Sequence, residues 1–182
     1  AYEPYMNGKG QSWLRAHQRF GSEERRSALG NWMIRSVDGG LTFKARYRVP
    51  VNSPHGPVQL RDGRLLYAGK ALWTKNEKIG VCESRDDGLS WQWLADIPSR
   101  KEDNHREYHE LHAVEAGDRL IVQIRNHNSV NTGETLQCES LNGGKSWSEP
   151  YSIGVWGLPS HLLRLRDGRL LMSYGYRRKP FG

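Results

Sequence analysis

Glu110 is the carboxylate of this 182-residue chain best placed to do chemistry. It opens a strand-like run, and the Gly117-Asp118 turn that follows returns the chain so that Arg125 comes back to the same end. A carboxylate beside a guanidinium has two uses. It is either an ion pair, which depresses the acid's pKa, or a positioned base that activates a nucleophile. A planar guanidinium fork also suits recognition of a substrate carboxylate. Histidines and aromatic residues stand at matching places: His55, His109, His161, Trp156 and Tyr176. Nine residues before Arg64, Arg119 and Arg169 come His55, Glu110 and Ser160. If the segments are repeats, these three positions face one another.

The segments do repeat. Ser36-Val37-Asp38-Gly39-Gly40-Leu41-Thr42-Phe43 returns as Ser84-Arg85-Asp86-Asp87-Gly88-Leu89-Ser90-Trp91 and as Ser140-Leu141-Asn142-Gly143-Gly144-Lys145-Ser146-Trp147. The shared pattern keeps Ser, Asp or Asn, Gly and an aromatic residue at fixed offsets. Its Asp or Asn accepts backbone N–H bonds within its own turn, and its Gly supplies a left-handed position. The closing Phe43, Trp91 or Trp147 is expected to staple the turn onto its strands. A second motif interleaves with the first. Leu60-Arg61-Asp62-Gly63-Arg64-Leu65-Leu66 returns as Leu165-Arg166-Asp167-Gly168-Arg169-Leu170-Leu171, with a degenerate copy at Glu115–Ile121. Asp-Gly between apolar residues marks a tight hairpin.

Short strand-like runs lie between these turns, four to a unit. Four antiparallel strands at a period of about 50 residues make a β-propeller blade. The fold class is therefore all-β, a propeller of four-stranded antiparallel blades. Residues 1–50 read as the end of one blade, 51–98 and 99–150 as whole blades, and 151–182 as the first half of another. Closed propellers have about four to eight blades, so a longer protein supplying the remaining blades is expected. Strand alternation puts the stereotyped turns at one end and the variable loops at the other. The variable end is the expected functional one.

Composition narrows the classes. The net charge of +7 favours an anionic partner. The absence of a Lys/Arg block of about five or more argues against nucleic acid. No run of 18 apolar residues is present, so no membrane span is expected. The first residues do not read as a signal peptide. Two cysteines, Cys82 and Cys138, are too few for a disulfide framework and are expected to be buried thiols. His105, His109 and His112 have helical spacing in a segment that reads as loop and strand, so no metal site is expected. No phosphate loop or dinucleotide fingerprint occurs, and no cofactor is expected.

The Ser-x-Asp-x-Gly-x-Ser/Thr-Trp/Phe motif resembles the Asp-box, or bacterial neuraminidase repeat, of the six-bladed sialidase propellers. Tyr108-His109-Glu110 through Arg125 resembles the sialidase segment in which a Glu precedes an Arg of the arginine triad. The resemblance implies an exo-acting glycoside hydrolase for a terminal, anionic sugar. Glu110 would serve as base for a tyrosine nucleophile, and Arg125 would hold the substrate carboxylate. Arg177 and Arg178 are candidates for a second triad arginine. Tyr47-Arg48-Val49-Pro50 is similar to the motif of the first, but it follows an Asp-box on an outer strand and is set aside. The acid/base Asp of that family lies in a mobile loop. Here the corresponding segment around Arg15, Arg19, Glu23 and Glu24 offers only Glu. Family resemblance also implies a secreted or periplasmic protein. Two alternatives stay open: a related glycosidase of a non-sialic sugar using a carboxylate pair, favoured by the histidines, and a non-catalytic propeller that binds glycans or proteins.

Overall fold

The structure is a computed structural model that describes residues 10–176 and 178–180. It divides into Ala1–Gly30 and Asn31–Gly182. The first unit holds two short helices, α1 (Gly10–Gln18) and α2 (Ser22–Ala28). Good helix formers such as Gln, Leu, Arg and Ala make up α1. The Glu24 carboxylate accepts the Gly21 N–H at 2.7 Å and closes the first turn of α2. Arg15 thus lies in α1 and Glu23 and Glu24 in the first turn of α2, where the sequence reading expects a mobile loop. No helix among the described residues is long and apolar enough to cross a membrane.

The second unit is all-β, part of a β-propeller. A two-stranded piece pairs β1 (Trp32–Met33) with β2 (Tyr47–Arg48). A four-stranded antiparallel blade follows in the order β3 (Val58–Gln59), β4 (Leu65–Lys70), β5 (Ile79–Ser84), β6 (Gln92–Asp96). The next sheet runs β7 (Tyr108–Ala116), β8 (Arg119–Asn126), β9 (Glu134–Ser140), β10 (Tyr151–Arg164), β11 (Leu170–Tyr176). β10 does two jobs. Its first half pairs with β9 as the outer strand of one blade, and its second half pairs with β11 as the inner strand of the next.

Alternation of side chains along each strand builds the core. On β4 and β5, Leu66, Ala68, Ile79 and Val81 face forward and join Leu111, Val122, Ile124 and Leu136 of the next blade. Tyr67 and Cys82 face backward and join Val49 and Val51. One blade further on, Val114 and Ile121 meet Leu162. The blades are therefore stacked face to face, and the β3–β6 blade has an apolar interface on each of its two faces. Both cysteines are free and buried in these interfaces. Burial pushes the Cys82 thiol up to about 12 and raises Cys138 also.

The three Asp-boxes share one set of hydrogen bonds. Gly40, Gly88 and Gly144 N–H donate to Ser36, Ser84 and Ser140 Oγ at 2.8, 2.8 and 2.9 Å. Thr42, Ser90 and Ser146 N–H donate to Asp38, Asp86 and Asn142 at 3.0, 2.9 and 2.9 Å. Each box Gly has φ near +80 to +90°, which only glycine takes without strain. Hydrogen bonds from Ser90 pull the Asp86 carboxyl down to about 2, and those from Ser36 and Thr42 pull Asp38 lower still. The aromatic staple varies. Trp147 is buried and donates Nε1–H to the Gly144 carbonyl, and Trp91 packs against Tyr67. Phe43 is 56% exposed and so, contrary to expectation, is not buried against its strands as Trp147 is.

Candidate active site

Glu110 owes its position to a β-bulge. Register runs His109↔Arg125 and then His112↔Gln123, so Glu110 and Leu111 stand opposite Ile124 alone. Tyr108, Leu111 and Ala113 all face the same core, which strict alternation does not permit. The extra residue takes up the difference, with Glu110 at φ +43°. Bulges re-aim a side chain at the cost of local strain. Here the strain turns Glu110 out of the blade while its neighbour Leu111 stays fully buried.

Outside the blade, Glu110 Oε2 accepts a hydrogen bond from Arg125 Nη1 at 2.6 Å, both side chains being about a quarter exposed. Arg125 Nε–H donates to His127 Nε2, which fixes that nitrogen as an unprotonated acceptor. His109 stands beside His127, ring centroids 5.0 Å apart. Desolvation, then Lys70, lowers the pKa of His109; desolvation, then Arg125, lowers that of His127. Both imidazoles are therefore neutral hydrogen-bonding walls around a charged pair.

These residues line a cavity of about 370 Å³ whose other wall is Asn52, Pro54, Lys70 and Leu72. Gly69 makes that wall possible. A Cβ there would lie 2.7 Å from the Asn52 carbonyl, so only glycine lets Asn52 exchange backbone hydrogen bonds with Lys70 at 2.8 and 2.9 Å. Lys70 is buried, donates to the Arg106 carbonyl at 2.6 Å and lies 3.2 Å from Glu77. It ties the end of β4 to Arg106 and Glu77, and Arg125 is the cation paired with Glu110.

A second histidine group lies beside this cavity. His55, His112 and His161 come from three successive inner segments, with ring centroids 4.9, 5.4 and 4.1 Å apart; His112 and His161 stack. Tyr67 places His55 by accepting the Ser53 N–H and donating to the Ser53 carbonyl, while Ser53 Oγ donates to the Leu111 carbonyl of the next blade. His112 is buried and its Nδ1 accepts the Leu162 N–H at 2.9 Å. Burial, then His161 and His55, pushes its pKa down to about 3. Burial and His161 lower His55 too, against an opposing pull from Glu110.

The remaining expected residues scatter. Ser160 is buried. Tyr174 packs on Gly157, where any Cβ would overlap its ring, and Tyr176 is exposed opposite the same glycine. Arg178 lies over the ring of Trp156 on β10, 4.2 Å from its centroid, and this stacking engages it. Arg177 lies outside the described residues. Arg48 sits over Trp32. His105, His109 and His112 diverge: His105 meets the Asn76 carbonyl, His109 meets His127, and His112 meets His161. Among the described residues no cluster of His, Cys, Asp or Glu is built to hold a metal ion. Sequence reasoning left Asn52 and the pairing of His112 with His55 unassigned. Gly69 was the available signal for the first, since a glycine inside a strand marks a close backbone approach.

The fold has counterparts in known proteins. The chain is similar to a protein of unknown function from Dyadobacter fermentans DSM 18053 (25% identity, TM-score 0.73, 85% of this chain and 46% of that one). It is similar in fold to an α-L-arabinofuranosidase from Fusarium graminearum (16% identity, TM-score 0.57, 81% of this chain and 49% of that one). It is also similar in fold to an intramolecular trans-sialidase from Ruminococcus gnavus (19% identity, TM-score 0.56, 80% of this chain and 33% of that one). The chain thus spans half or less of the length of each. No curated protein matches it. The model of the BNR repeat-like domain matches residues 6–180, and the chain belongs to that family.

Proposed function

We propose that these blades carry part of the active site of an exo-acting glycoside hydrolase, sialidase-like, taking a terminal anionic sugar. The observation that carries this reading is the Glu110–Arg125 pair, raised out of β7 by a strained bulge into a cavity with neutral histidine walls. Glu110 takes a proton from the attacking hydroxyl, and Arg125 both fixes Glu110 and presents an N–H toward a substrate carboxylate. His109 and His127 hydrogen-bond sugar hydroxyls without adding charge. If the nucleophile is a tyrosine, the reaction retains configuration by a route outside the usual two-carboxylate scheme.

A second reading is a glycosidase of a neutral sugar. His55, His112 and His161 support it, because a cluster in which His55 and His112 are held neutral by burial suits hydroxyl recognition better than anion recognition. The fold likeness to an arabinofuranosidase supports it too. The test is release of fluorophore by the full-length protein from sialosides, uronides and arabinofuranosides. Release from sialosides or uronides, reduced about 10²–10⁴-fold in Glu110→Gln, is expected. Release from arabinofuranosides alone transfers the site to the second reading. Release from none, with glycans still bound, makes the protein a binding propeller and overturns both.

A further inference from the structure

The Leu-Arg-Asp-Gly-Arg-Leu-Leu motif has no part in the site above, and its two arginines are used differently. The second is consumed by its own turn. Arg64 Nε donates to Asp62 at 2.7 Å, and Arg169 Nε and Nη2 donate to Asp167 at 2.9 and 2.7 Å. The first, Arg61 or Arg166, points elsewhere. Both line a cavity of about 420 Å³ formed by the turn-side ends of the three inner segments, Val58–Arg61, Val114–Glu115 and Arg164–Arg166. Glu110 and Glu115 lie near opposite ends of β7, about 15 Å apart at the rise of an extended strand, so this cavity is separate from the candidate active site.

Its charge is unbalanced. Three guanidinium groups meet one carboxylate. Glu115 Oε2 is engaged by the Arg61 N–H at 2.9 Å, with Arg61 Nε at 3.8 Å, and Arg61 Nη1 donates to the Gly117 carbonyl at 2.9 Å. Arg164 Nε is buried and has no hydrogen-bond acceptor. Arg166 is exposed and has no partner among the described residues. A buried guanidinium N–H left without an acceptor asks for an explanation, and an oxyanion between Arg164 and Arg166 would supply one. Val58, Leu60, Val114 and Leu165 give the cavity an apolar wall, and its volume is that of a small-molecule site.

We propose that this turn-side cavity binds an organic oxyanion, a carboxylate or phosphate monoester carried on a body with an apolar face. The test is calorimetric titration of the full-length Arg125→Ala protein with benzoate and with phenyl phosphate at low ionic strength. That background removes the carboxylate-binding fork of the other cavity. At least one probe is expected to bind, at least tenfold more weakly in Arg164→Gln/Arg166→Gln and more weakly in high salt. Binding of benzoate alone assigns a carboxylate, and binding of phenyl phosphate alone assigns a phosphate. Should Arg164→Gln fail to fold, Arg166→Glu, altering one exposed side chain, must abolish binding by itself. Failure of both probes to bind, or binding indifferent to these substitutions, overturns the proposal. Because Glu110→Gln leaves this cavity intact, its failure and that of the glycosidase reading are separable.

Discussion

The two ends of the strands in this molecule obey different rules. At the turn end, Ser36, Ser84 and Ser140 accept from Gly40, Gly88 and Gly144, and the three boxes agree to within 0.1 Å in those bonds. At the loop end, the corresponding inner positions hold His55, Glu110 and Ser160, one beside two other imidazoles, one in an ion pair and one buried. At Gly88 and Gly144 the turn end satisfies backbone N–H groups that would otherwise be buried without partners, and a box that failed there would cost its blade stability. The Glu110 side chain at the loop end carries no such duty, its partner being Arg125, and Glu110 tolerates a left-handed backbone that the turns allot mostly to glycine. On the proposed function, stability and chemistry are thus sorted to opposite ends of the same strands.

The sorting breaks if mutations at the two ends have similar effects. Arg125→Ala should lower kcat/KM on a cleaved anionic glycoside by about 10²–10³-fold, as expected for a preorganised charge contact. Arg125→Lys should not restore it, since an ammonium cannot reach Glu110 and His127 together. Because the pair is partly exposed, its loss should cost at most about 1 kcal/mol of stability. Ser84→Ala should do the reverse. Ser84 is buried, and its loss leaves the buried Gly88 N–H without an acceptor. Urea unfolding should show about 1–3 kcal/mol of destabilisation, while the folded fraction keeps its kcat.

The same sorting explains what could be read from the sequence. The boxes were legible because a local turn needs Ser, Asp and Gly at fixed offsets, and those offsets survive in all three copies. Blade stacking was legible through alternation. The bulge at Glu110 was not, because Tyr108-His109-Glu110-Leu111-His112 fits neither register alone. Its mark is visible afterwards in Tyr108 and Leu111, three residues apart yet in one core. Arg178 shows the limit of loop reading: its sequence position allows a partnership with Arg125, but the nearby Trp156 ring captures it. The helices of Gly10–Ala28 bury no residue, so no apolar periodicity announced them. Lys70 stands at a strand end like any exposed lysine, and only the distant Arg106 carbonyl and Glu77 make it an anchor.

The histidine group offers a subtler probe. His112 has a folded pKa of about 3 against an ordinary 6.5, and His55, His109 and His127 are shifted the same way. The unfolded chain therefore binds more protons than the folded one below pH 6.5. The share due to His112 is fully present above that pH and declines as pH falls toward 3, with a slope of on the order of 1.4 kcal/mol per pH unit. The other three histidines add to the decline in the same direction. The groups facing His112 are His55 and His161, and Glu110 acts on His55. In His112→Asn, the amide oxygen replaces Nδ1 as acceptor for the Leu162 N–H while removing one titrating group. Urea midpoints between pH 4 and 7 should fall less steeply in this variant. An unchanged slope would remove His112 from the acid response.

The smallest effect should come from the one box that departs from the others. Asp86 accepts from both the N–H and the Oγ of Ser90, whereas Asn142 accepts the Ser146 N–H but donates Nδ2 to Ser146 Oγ at 2.7 Å. One bond of the box therefore runs backward without moving the turn. Asn142→Asp restores the forward bond by rotating the Ser146 hydroxyl. Because the residue is exposed, the thermal midpoint at pH 7 should rise by no more than about 2 °C. The sign of its pH dependence identifies the cause. A box carboxyl is held near 2 by its hydrogen bonds, as at Asp86, so the gain is present above the ordinary carboxyl pKa of about 3.9. It should disappear as pH falls through the folded value. A gain that persisted at pH 2 would mean that the turn responds to side-chain shape alone, and that the charge of Asp38 and Asp86 contributes nothing to the geometry the three boxes share.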